Sequence, residues 1–148
     1  MIELDLRVAE VGWTEAIADL DLVCQRALDA GAAQIQAAGN VCILLTNDRE
    51  IQTLNRDWRG KDKPTDVLSF PADTIDRPFL GDIAVALGVT DADAKTSAIA
   101  LDQHLSHLLI HGLLHLLGHD HKDDTEAEEM EALEVAALAS LGWPDPYT

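Results

Sequence analysis

Basic residues are scarce. The 148-residue chain carries 10 Lys and Arg against 27 Asp and Glu, a formal net charge of −17. This balance excludes a protein that grips nucleic acid over its whole surface, because phosphate neutralisation normally supplies most of that affinity. Cysteine is nearly absent: Cys24 and Cys42 stand far apart in the apolar runs LDLVCQRAL and NVCILL. That spacing excludes a CxxC metal knuckle and a disulfide framework, and leaves two small, buried, reduced thiols. No stretch approaches the roughly 18 apolar residues of a membrane-spanning helix, and MIELDLRVAE alternates with charge where a signal peptide would be basic and then apolar. A cytoplasmic protein without membrane contact is expected. Internal repeats and low-complexity tracts are also missing.

With 47% hydrophobic residues, the chain can bury one core and is too short to divide comfortably, so a single domain over residues 1–148 is expected. IELDLRV alternates with period two, as a half-buried strand does. The apolar spacing from Thr14 to about Ala30 predicts a helix ended by Gly31, and VCILLT predicts a short buried strand. Asn47 or Asp48 can cap a helix over REIQTLNRDW, which stops before Gly60. The polar stretch RGKDKPTD reads as an exposed loop leading into a strand at VLSF. LGDIAVAL is a further strand, DADAK starts a helical region with a break near Ser97, and a last helix starts near Asp123 or Asp124. That helix places Ala127, Met130, Leu133, Ala137 and Leu141 on one face. The interleaving indicates an α/β or α+β fold, with a mixed sheet of about four strands packed against helices and a central histidine-bearing helix.

The few cations are not scattered. Arg49, Arg56, Arg59, Lys61 and Lys63 make one basic segment on an acidic body.

All 6 histidines lie in HLSHLLIHGLLHLLGHDH, between positions 104 and 121. On a helix over 101–117, His104, His107, His111 and His115 fall within an arc of roughly 80°, while leucines and Ile110 fill most of the remaining circumference. His111 and His115, at i and i+4, can both reach one ion at about 2.0–2.1 Å. A third ligand requires the chain to turn back, and Gly118 suits that turn because it can adopt a left-handed conformation. His121 then returns toward the ion; His119 competes for the position but is still turning away. HxxxHxxGxxH combines helical spacing, a helix-ending glycine and a returning ligand, so a metal centre outweighs a set of packed imidazoles. One Zn2+ per chain on His111, His115 and His121 is expected, although such a set also accepts nickel, cobalt or copper. Three neutral imidazoles leave a coordination position open, as catalytic sites do. His104 and His107 could line a cleft or simply pack.

HGLLHLLGHDH, LNRDWRGKDKPTDVLSFP and LGDIAVA together resemble the three characteristic segments of the YbeY family of endoribonucleases, in the same order and across residues 40 to 140. His119 stands where that family usually has tyrosine. The resemblance implies an α/β metalloprotein with zinc on His111, His115 and His121. It also implies single-strand-specific RNA cleavage in ribosomal RNA maturation and ribosome quality control, with Arg59 in the active site. In that role Arg59 would stabilise charge developing on phosphorus.

Two other classes fit parts of the pattern. HxxxHxxGxxH has the ligand spacing of metzincin peptidases, but Gly112 occupies the place of their catalytic glutamate. A zinc-stabilised ribosome-assembly adaptor would bind without turnover. The acidic run DDTEAEEMEALE reads as the solvated face of a helix, with docking of basic ribosomal proteins as its functional alternative. Trp58 reads as core packing at a helix end, with base stacking as the alternative.

Overall fold

Alternation of apolar and polar residues sets the frame. In a computed structural model, which describes residues 1–148, four strands form: β1 (Ile2–Val8), β2 (Gly39–Thr46), β3 (Val67–Pro71) and β4 (Phe79–Ala86). They lie in the order β1-β2-β4-β3, with β1, β2 and β4 parallel and β3 antiparallel to β4. Helices α1 (Gly12–Ala16), α2 (Leu20–Gln34), α3 (Asp48–Arg59), α4 (Leu87–Thr96), α5 (Leu101–Leu116) and α6 (Asp124–Ser140) complete the chain. The result is the mixed four-stranded α+β architecture that the sequence indicated.

The two faces of the sheet are covered unequally. Val41, Ile43, Leu45, Ile83 and Val85 project into the main core, against α2 and α5. The opposite face carries Ala84, Ala86 and Leu68, and packs against Ile51 of α3 in a smaller cluster. Leu105, Leu109, Ile110, Leu113 and Leu114 of α5 are fully buried. Each such side chain contributes roughly 1.5–3 kcal/mol of transfer free energy, enough to seat the helix while one flank is left to imidazoles. No helix is long and apolar enough to cross a membrane.

Several local expectations need correction, each for a tertiary reason. The helix read over Thr14 to Ala30 is two helices, broken where Asp19 takes a left-handed backbone (φ 52°). Gly31 does not end α2, which runs on to Gln34; a Cβ there would lie 3.3 Å from Leu113, so the glycine serves close approach of α2 to α5. Helix α4 begins at Leu87, directly after β4, because the Asp48 carboxylate of α3 accepts the Val89 amide at 3.0 Å and caps it from a distance. Trp58 is not core: it is 71% exposed and meets Phe70 edge-on, with ring centroids 6.1 Å apart. Of the two free thiols only Cys24 is fully buried, whereas Cys42 is half-buried and lies 3.5 Å from Asp5.

Candidate metal centre and cleft

Helix α5 presents its imidazole stripe at the edge of the sheet because Gly112 lets it lie close. A Cβ at that position would sit 3.1 Å from both Ile83 and the Ser69 hydroxyl. Ser69 Oγ also lies 3.5 Å from the Gly112 carbonyl, tying β3 to the helix. Position 112 therefore faces the sheet in tight surroundings, and carries no counterpart of the glutamate of a metzincin peptidase.

At the end of α5 the chain reverses. Gly118 takes φ +94°, the Gly118 amide donates to the His115 carbonyl at 3.1 Å, and the His119 amide donates to Leu114 at 2.9 Å. This left-handed cap brings His121 back beside the helix. Side-chain nitrogens of His111, His115 and His121 all fall within 4.8 Å of one another. His111 Nε2 and His115 Nε2 are 3.1 Å apart, close to the roughly 3.3 Å edge of a tetrahedron of nitrogen ligands at 2.0–2.1 Å. Burial and the neighbouring His111 lower the pKa of His115, which favours the neutral ligand form. His119 lines the same cleft but stands outside the cluster. The donor set fits a divalent metal of zinc type.

The cleft over these imidazoles encloses about 620 Å³ and runs to Arg59 at the end of α3, with Asp66, Ser69 and Asp120 on its walls. Asn47 caps α3 by accepting the Glu50 amide, and Gly60 (φ 70°) ends it. Buried Asn55 then pins the basic loop, donating from its side chain to the Lys63 carbonyl at 2.9 Å while its own carbonyl accepts the Lys61 amide at 3.2 Å. Arg59 thus faces the histidines from a fixed corner. Lys61 and Lys63 are exposed beside it, and Arg56 pairs with Asp57 at 3.0 Å.

The remaining histidines of α5 differ in role. His104 keeps a buried Nε2 without a partner and groups with Asp66 and Asp93; burial lowers its pKa. His107 lies 2.5 Å from a carboxylate oxygen of Glu134, which closes the acidic run DDTEAEEMEALE and, unlike a residue of a solvated face, points inward. Glu134 is only 1% exposed. It accepts from His107 Nε2, from His111 Nδ1 at 2.9 Å and from the Tyr147 hydroxyl at 2.5 Å. Burial alone would raise its pKa, but these hydrogen bonds prevail and hold it at about 2. A signal was present: Glu134 follows Met130 by four residues and precedes Ala137 by three, so it lies on the apolar face of α6.

Comparison with known proteins places the chain in a family. The family model described as Endoribonuclease YbeY matches residues 9–142. An Endoribonuclease YbeY of Stutzerimonas stutzeri is 49% identical, covering 99% of this chain and 92% of that protein. One from Rhizobium etli is 44% identical over 99% of this chain and 95% of its own length. The solution structure of a Thermotoga maritima protein superposes with a TM-score of 0.60 at 25% identity, covering 96% of this chain and 92% of that one. With its three histidines gathered at the end of α5 and the family model spanning nearly the whole chain, this protein belongs to the endoribonuclease YbeY family.

Proposed function

We propose that this chain is a zinc-dependent, single-strand-specific endoribonuclease of ribosomal RNA maturation and ribosome quality control, acting as one domain in the cytoplasm. The observation that carries this reading is the convergence of three imidazoles in a cleft that also ends on Arg59. His111, His115 and His121 would hold the ion, one per chain. A zinc ion so held supplies Lewis-acid stabilisation of a phosphoryl oxygen.

The rest belongs to the chain itself. Arg59 presents a permanently charged guanidinium to phosphate, where it would stabilise charge growing on phosphorus. Lys61 and Lys63 extend the cationic rim and hold the strand without reading its sequence. Salt screens the acidic body within about 8 Å at physiological ionic strength, so this local cluster can act despite the net charge. Glu128, Glu129 and Glu131 on the exposed side of α6 would dock basic ribosomal proteins.

A peptidase reading is weaker here, since position 112 lacks a carboxylate and Glu134 is buried with both oxygens engaged. Metal-loaded and chelated protein should be assayed in parallel on structured RNA and on a peptide library. Turnover of RNA alone, in loops and lost on chelation, is expected. Peptide turnover would overturn the reading, and binding of RNA without cleavage would favour an assembly adaptor.

A further inference from the structure

Behind the imidazole triad, on the side away from the cleft, one carboxylate gathers two donors from α5 and a third from the C-terminal segment. Glu134 of α6 takes His107 Nε2 and the Tyr147 hydroxyl on one oxygen and His111 Nδ1 on the other. It is sealed from solvent, does not line the cleft, and so touches neither RNA nor ion.

We infer that Glu134 is a positioning residue, which fixes the His111 ring with its hydrogen on Nδ1 and its Nε2 lone pair directed at the metal position. An ionised carboxylate only accepts, so the hydrogen between Glu134 and His111 belongs to Nδ1. The other nitrogen then has no hydrogen and faces His115 Nε2 across 3.1 Å. Without the carboxylate, the ring can adopt the opposite tautomer and turn its hydrogen toward the ion. Glu134 also makes His111 a better donor by drawing on its Nδ1 hydrogen, the usual service of a carboxylate behind a metal-bound histidine. His107 and Tyr147 hold the carboxylate itself in orientation from the second oxygen. The inference rests on the triad being the metal site.

Two measurements test it without recourse to catalysis. In long-range proton–nitrogen spectra of the metal-free parent protein, His111 should carry its hydrogen on Nδ1; a hydrogen on Nε2 would overturn the inference even if variants fail to fold. In competition with a colorimetric chelator, Glu134→Gln should bind Zn2+ about 10–100-fold more weakly, because a neutral amide is the poorer acceptor. Tyr147→Phe, which spares the His111 bond and leaves His107 on the second oxygen, should weaken Zn2+ binding clearly less than Glu134→Gln. Unchanged affinity in Glu134→Gln, or equal weakening in both variants, would reduce Glu134 to a structural brace. Failure of the parent chain to bind Zn2+ would instead sink the metal reading itself.

Discussion

His111 Nε2 and His115 Nε2 face each other across 3.1 Å, one helical turn apart on α5, with the ring of His111 held from behind by Glu134. That separation suits one hydrogen bond between the rings in the metal-free protein and two nitrogen ligands on one ion in the loaded one. This pair is the basis of the first prediction: His111→Ala and His121→Ala should each lose bound metal by elemental analysis, while His119→Ala should keep one equivalent. Full stoichiometry in the first two would show the triad to be wrong.

Arg59 is exposed at the end of α3, so its truncation removes little packing. Arg59→Ala should lower RNA turnover by about 10²-fold or more, with metal content and Tm nearly unchanged. Lys61→Ala and Lys63→Ala should instead weaken RNA binding, each reducing the salt slope by about one unit or less. Normal turnover in Arg59→Ala would confine the basic corner to binding.

Most of this site was legible in the sequence because it is local. Helical spacing, a glycine stop and a short return place His111, His115 and His121 without knowledge of any other element. What escaped depends on contacts between distant segments. Gly31 reads as a terminator until α5 is seen to need its missing side chain, and Asp48 reads as one of two possible local caps although Asn47 caps α3 and Asp48 caps α4. Glu134 was hidden among exposed acids, since composition does not reveal that its face of α6 meets the back of His111.

Metal removal should destabilise the fold without unfolding it, because the core beneath α5 is continuous and does not depend on an ion. Zn2+ should raise Tm through linkage. Loss of the cooperative transition in chelated protein would show that the site is structural.

Acid should weaken the metal-free protein through Glu134. Its folded pKa of about 2 lies below the ordinary 4.5, so its stabilisation is full above that value and disappears as pH falls through about 2. The shift corresponds to about 3 kcal/mol. Denaturant titrations should find Glu134→Gln much less stable than the parent at pH 6 and the gap narrowing below pH 4; a constant gap would contradict the assignment.

The thiols should separate under alkylation. Cys24 is fully buried and burial pushes it up to about 12, whereas Cys42 opens toward solvent beside Asp5. Mass spectrometry of the native protein should find Cys42 modified first and Cys24 only after denaturation.

The most direct test follows cleavage of one RNA with a single-stranded loop while Zn2+ is added to metal-free protein. The rate should climb to a plateau at one equivalent per chain for the parent and stay at background for His115→Ala throughout. Cleavage by the chelated parent, or equal cleavage by His115→Ala, would contradict the claim that these histidines hold the metal on which RNA hydrolysis depends.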